Sequence, residues 1–177
     1  GGIGTRNHLL ITPTVPCVAA AAGRIAAACR AAYGFEPGDE YKRYARGLLG
    51  TPDGPAPGRE PVFPGVDVIH LLQHESGCGM PNHGDLDAFL RWLAHYIRNP
   101  NVGGALVIGL GCEKAEVSWL ERDYLAPLRQ TTGKPIITLT HQALGSEQAL
   151  VRAGIERVHE LLGQMSGVRR VPVPLSR

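Results

Sequence analysis

At 177 residues, 44% of them hydrophobic and 19% charged, the chain has the size and composition of one globular domain, long enough to bury most of its apolar surface. A net charge of +2, without a Lys/Arg run or basic residues interleaved with aromatic ones, gives no footprint for nucleic acid, and no apolar stretch is long enough to span a membrane. The four cysteines lack the short paired spacings of a zinc ribbon, and with no secretory signal read at the start the expected setting is the cytoplasm, with thiols reduced.

His8-Leu9-Leu10-Ile11-Thr12 reads as a first strand, and the alanine-rich stretch from Cys17 to Tyr33 as a first helix, since alanine has the highest helix propensity. From 34 to 65 the composition shifts: Pro37, Pro52, Pro55, Pro57, Pro61 and Pro64 lie among glycines and break regular structure, leaving room for one helical turn near Tyr41 to Leu49. An excursion of this length inside a compact domain is either a lid or partner-binding segment, or a plain surface insertion. Val66 to Leu72 gives a second strand, and 85–98 a helix with Leu86, Phe89, Leu90, Leu93 and Ile97 on one face. Gly104-Ala105-Leu106-Val107-Ile108 is nearly all apolar, as a central strand covered on both faces must be. A helix between Val117 and Gln130, a strand from Lys134 to Leu139 and a long helix from Ser146 to Leu162 follow, the last with Ser146 as its amino-terminal cap. Val168 to Val173 is expected to add a final strand, stopped by Pro174. Strand and helix alternate throughout, so the expected fold is α/β: a three-layer, doubly wound, mainly parallel sheet of about five strands in one domain spanning 1–177.

Every distinctive motif falls where such a strand ends. Thr14-Val15-Pro16-Cys17, His74-Glu75-Ser76-Gly77-Cys78-Gly79-Met80 and Gly109-Leu110-Gly111-Cys112-Glu113 each carry a cysteine just past a strand, and Thr140-His141-Gln142 closes the fourth. Parallel sheets hold ligand and catalytic groups at the carboxyl ends of their strands, so three thiols and His74 are expected along one edge. The glycines around Cys78 and Cys112 permit positive φ and close approach of a bound anion to backbone amides. Gly109-Leu110-Gly111 lacks both the third glycine of a dinucleotide fingerprint and the Lys-Ser/Thr of a P-loop, which disfavours a nucleotide.

Taken in order, Gly4-Thr5-Arg6-Asn7, Gly77-Cys78-Gly79-Met80, Asn99-Pro100-Asn101-Val102-Gly103-Gly104 and Gly109-Leu110-Gly111-Cys112-Glu113 resemble the central domain of the altronate and galactarate dehydratase family, which also includes a sulfolactate sulfo-lyase large subunit. The resemblance implies a hydro-lyase that dehydrates a sugar acid to a 2-keto-3-deoxy acid. It also implies that the chain is one domain of a larger enzyme, completed by a carboxyl-terminal domain or a partner subunit and working as a homo-oligomer. Around the fourth strand only Gln142 transfers from the family pattern. Ala143-Leu144-Gly145-Ser146 departs from it, which places the fine substrate contacts there in question.

Such a dehydration needs a base, an electrophile and an acid. His74, Glu113 and Gln142 are the candidate catalytic residues. Arg6, whose planar fork suits a carboxylate, is the candidate substrate grip, with Asn7, Gly77, Gly79 and Gly111 as further binding positions. The resemblance implies metal assistance. Cys17, Cys78 and Cys112, soft ligands beside borderline His74 and hard Glu113, suit iron or zinc better than magnesium; manganese and an iron-sulfur cluster stay open. His8, at the opposite end of its strand, is expected to be structural, and Cys29 to be core. Competing readings accompany each choice: the cysteines as small buried hydrophobes, His74 or Glu113 as caps, and the whole domain as a non-catalytic assembly or ligand-binding module.

Overall fold

The computed structural model describes residues 3–35, 44, 47–48, 62–80, 84–172 and 174; most of the 34–65 excursion lies outside the described residues, and the described part of the turn expected near Tyr41 to Leu49, at Tyr44, Gly47 and Leu48, is helical. Four strands form one sheet: β1 (His8–Pro13), β2 (Val68–Leu71), β3 (Val102–Gly109) and β4 (Ile136–Thr140). All pairings are parallel and the order is β2-β1-β3-β4. Helix α1 (Ala19–Tyr33) and the last helix, α6 (Glu147–Met165), cover one face. Helix α2 (Gly84–Arg98) and the pair α3 (Val117–Leu120) and α4 (Ala126–Thr132) cover the other. A single turn, α5 (His141–Leu144), sits between β4 and α6.

Two apolar clusters account for the three layers. Leu9, Ile11, Ile25, Leu106, Ile108, Val158 and Leu161 fill one side, and Leu10, Leu93, Ile97, Val107, Leu120 and Leu125 the other. Burial of each large aliphatic side chain contributes about 1.5–3 kcal/mol. β1 and β3 alternate between the two clusters, which is why Leu9–Ile11 and Ala105–Ile108 are apolar without a break. Helix α6 comes so close to α1 that a Cβ at Gly154 would strike Ile25.

The elements start and stop for local reasons. Pro16 fixes a 3-10 turn over Pro16–Val18, so α1 begins at Ala19 rather than at Cys17, and Gly34 ends it in the left-handed region at φ 80°. Ser146 caps α6 as expected, its hydroxyl accepting from the Ala149 N–H at 3.2 Å. The helix read as continuous from Val117 to Gln130 instead widens into a π turn at Glu121–Leu125. Pro127 has no N–H to offer the Asp123 carbonyl and its ring crowds it, and an extra residue in the turn relieves the conflict. The carbonyls ending α2 are capped from outside: the Lys134 ammonium donates to Ile97, Arg98 and Asn99 at 3.1, 3.0 and 2.6 Å, and burial pushes its pKa down to about 8.

Over its described residues the expected fifth strand does not form. Residues 168–172 are exposed and lie outside the sheet. Helix α6 runs on to Met165 and delivers the chain to the amino ends of β1 and β2, where Asn7 Nδ2 donates to Gly65 O (2.8 Å) and Met165 O (3.1 Å). Beyond it, Arg170 pairs with Asp67, which also accepts the Asn7 backbone N–H at 2.6 Å. This corner lies across the sheet from β4. Burial alone would raise the Asp67 carboxyl, but the Asn7 N–H, Arg170 and Arg6 outweigh it and hold the group below the usual carboxylate range. The sign of the pH effect follows: the anchor is complete above the pKa of an unfolded aspartate, about 4, and is lost as pH falls through the lower folded value. Asp67→Asn is expected to speed amide exchange at 166–172 at pH 7, and the unsubstituted chain to show the same loosening only in acid. Equal exchange in both proteins at pH 7 counts against the anchor.

Candidate functional site

Because every strand runs the same way, the loops after β1, β2, β3 and β4 share one rim. The chain leaves β1 for β2 on one side and returns to β3 on the other, so its winding reverses between β1 and β3, the position where doubly wound sheets open a crevice. Thr14 and Glu113 meet there. Glu113 is 2% exposed, and its Oε1 accepts the Thr14 hydroxyl (2.7 Å) and the Leu110 N–H (3.0 Å), while Oε2 accepts the Gly111 N–H (2.6 Å). The carboxylate therefore holds the β3 loop in shape and ties it to the end of β1. It answers its buried charge with three donors rather than with a cation.

Neighbouring loops lean on the same point. Gly77 is buried with φ 110°, and a Cβ there would collide with the Thr14 carbonyl oxygen. Its own carbonyl accepts the Ala115 N–H at 3.2 Å, binding the β2 loop to the β3 loop. Gly111, at φ 111°, faces Gln142: a Cβ would come within 2.9 Å of Gln142 Oε1. The Gln142 N–H donates to Leu110 O at 3.0 Å, so the β4 loop closes the series. Gly79 is exposed with open space around it.

His74, an expected catalytic residue, is held between two loops by backbone groups. The Ser76 N–H donates to its Nδ1 (3.2 Å), which places the proton on Nε2, and Nε2 donates to Pro13 O at 2.6 Å. Both nitrogens are engaged by backbone groups, and the ring packs edge-on against Phe89 and Trp92. Arg6 and Asn7 need a larger correction. They precede β1, at the rim opposite the cysteines, where Arg6 lies 3.7 Å from Asp67 and Asn7 is 7% exposed, with its side-chain nitrogen donating to two backbone carbonyls. Neither reaches the crevice, because a parallel strand puts its first and last residues at opposite edges.

Cys17, Cys78 and Cys112 are exposed on the crevice rim, whereas Cys29 is buried in α1, its thiol pushed up to about 12 by burial. Sharing a rim is not the same as forming a ligand set. Among the described residues no three His, Cys, Asp or Glu side chains come together as a group able to hold a metal ion. With His74 and Glu113 saturated by hydrogen bonds, the borderline and hard ligands expected beside the thiols are also committed elsewhere. Thr14, the residue through which the first three loops are joined, was not among the residues singled out. Its place at the end of an apolar strand was the available signal, overshadowed by Cys17 three positions on.

The fold and rim define a doubly wound α/β domain whose strand-end loops are fastened around the β1/β3 crevice. A family model described as D-galactarate dehydratase/altronate hydrolase, second domain, matches residues 1–166, and the chain belongs to that family. It is 29% identical over 177 residues to an altronate dehydratase of Escherichia coli (strain K12), and 29% identical over 176 residues to one of Bacillus subtilis (strain 168). Each alignment covers 99% of this chain and 28% of the relative, so the chain spans little more than a quarter of the relatives' length. No solved structure matches at a significant level.

Proposed function

We propose that this domain forms part of a hydro-lyase for a sugar acid of the altronate or galactarate type. The observation that carries the reading is the family match over 1–166. The placement of Gly77, Gly111, Glu113 and Gln142 around the β1/β3 crevice supports it. Dehydration removes the proton from the carbon bearing the carboxylate and expels the neighbouring hydroxyl as water. The resulting enol tautomerises to a 2-keto-3-deoxy acid. In this reading the backbone around Gly111 and Cys112, fixed from below by Glu113, lies against the substrate carboxylate, and the exposed amide of Gln142 touches a hydroxyl. A divalent ion, iron by the softness of the thiols, would supply the electrophile; the described residues do not by themselves form its site, so its ligands would include groups beyond them.

The test is anaerobic purification of the full polypeptide with elemental analysis, followed by a screen of aldonates and aldarates for a 2-keto-3-deoxy product. Gln142→Ala and Cys112→Ser, both at exposed positions, are expected to lower turnover by about 100-fold while leaving the melting temperature unchanged. Failure of every sugar acid, or full activity in both variants, removes the reading.

A further inference from the structure

The outer edge of β4 is the part of the sheet that the described residues leave most open. The Ala105 N–H donates to Pro135 O at 3.0 Å with Ala105 opposite Ile136, which sets the phase of the ladder. Ile137 and Leu139 therefore bond to β3, and Ile136, Thr138 and Thr140 turn their backbone groups outward. The first of these is guarded: Arg129 Nε donates to Ile136 O at 2.9 Å, with its guanidinium held by Glu121. The opposite edge of the sheet is guarded in the same way, Arg30 Nε donating to Ile69 O at 2.8 Å. Arginines on flanking helices thus blunt both edges, as exposed edges require.

The guard on β4 covers only its amino half. Among the described residues nothing donates to or accepts from the outward backbone of Thr138, and the strand carries no proline or charge from 136 to 140. Residues 137–140 are half-buried, with Ile137 and Leu139 packed on the core below. Strands of parallel sheets are ordinarily covered on both faces and flanked by neighbours. The stretch expected to add a fifth strand is held at the far corner by Asp67 and Arg170.

We propose that the carboxyl half of β4, Thr138 to Thr140, receives an extended segment from the remainder of a longer polypeptide, extending the sheet by one strand and closing the crevice beside Gln142. The length of the relatives argues for this occupant, since this domain accounts for 28% of each and the remaining length is ample to supply one strand. Main-chain hydrogen bonds to Thr138 would supply the affinity, and Ile137 and Leu139 the apolar contact. The inference rests on reading the chain as one part of a larger dehydratase, though not on which acid is turned over.

The test is hydrogen exchange at the Thr138 amide in residues 1–177 and in the full polypeptide at the length of its relatives. Exchange is expected to be about 100-fold slower in the full polypeptide and unchanged on dilution. Equal rates overturn the proposal, and protection that fades on dilution overturns it in favour of a second copy at this edge. Thr138→Pro gives an independent check, because that N–H makes no bond to β3. Residues 1–177 should keep their melting temperature while the docked segment of the full polypeptide becomes open to protease; an unaltered cleavage pattern counts against docking. Exchange is read without substrate, so failure of the sugar-acid screen and failure of the docking are separately visible.

Discussion

Glu113→Ala is expected to lower the domain's stability by about 3 kcal/mol, a fall in melting temperature of roughly 6–12 °C for a chain of this size. The side chain is buried, and removing it strands the Leu110 and Gly111 N–H groups without an acceptor and leaves the Thr14 hydroxyl only the Ile108 carbonyl, at 3.4 Å. Thr14→Val removes one donor and leaves the carboxylate two others, so about 1 kcal/mol is expected from it. The two changes remove parts of one interaction, and the double variant should lose less than the sum. Urea denaturation of the four proteins measures this cycle. A Glu113→Ala protein within about 0.5 kcal/mol of the parent would show that the carboxylate is not what holds the β3 loop.

Gly77→Ala is expected to cost roughly 3 kcal/mol or more, from two sources that no side-chain rotation relieves. The backbone sits at φ 110°, which L residues rarely adopt, and the added methyl meets the carbonyl oxygen of Thr14, a backbone atom. Gly111→Ala shares the strained φ of 111°, but its methyl meets only side-chain atoms, Gln142 Oε1 at 2.9 Å, which can swing away, and Thr140 Cγ2 and Gln142 Cβ at 3.0 and 3.1 Å, which need give only slightly, so an intermediate loss of about 1–2 kcal/mol is expected. Gly79→Ala, with nothing within 4 Å, should change stability by no more than about 0.5 kcal/mol. The ranking, read by thermal melting, is the decisive quantity. Gly79→Ala as harmful as Gly77→Ala would mean that the β2 loop does not press on the end of β1.

Much of the architecture was legible because parallel strands covered on both faces are apolar over most of their length, as Leu9–Ile11 and Gly104–Ile108 are. The Val168–Val173 stretch reads as a short strand stopped by Pro174, yet its described residues, 168–172, lie outside the sheet. Its fate is decided by Asn7 and Asp67, a hundred or more positions earlier, and no local pattern reveals that. The rim itself was foreseen, since all four motifs follow strands. Arg6 was assigned to that rim by the chemistry of its guanidinium, although its place before β1 already fixed it at the other end. The partners that engage His74 are the Pro13 carbonyl and the Ser76 N–H, and those of Glu113 include two backbone amides. Backbone groups leave no trace in residue identities, so a histidine or glutamate that braces a loop looks the same in sequence as one that moves a proton.

The strand order has a consequence for how the molecule is made. β1 comes first in the chain yet lies in the interior of the sheet, with Leu9, Leu10 and Ile11 fully buried between partners that begin only at Val68 and Val102. During synthesis these residues emerge ahead of both partners and must stay soluble until β3 has left the ribosome. Assembly therefore waits on distant segments, and the nascent chain is most vulnerable to aggregation before β3 arrives.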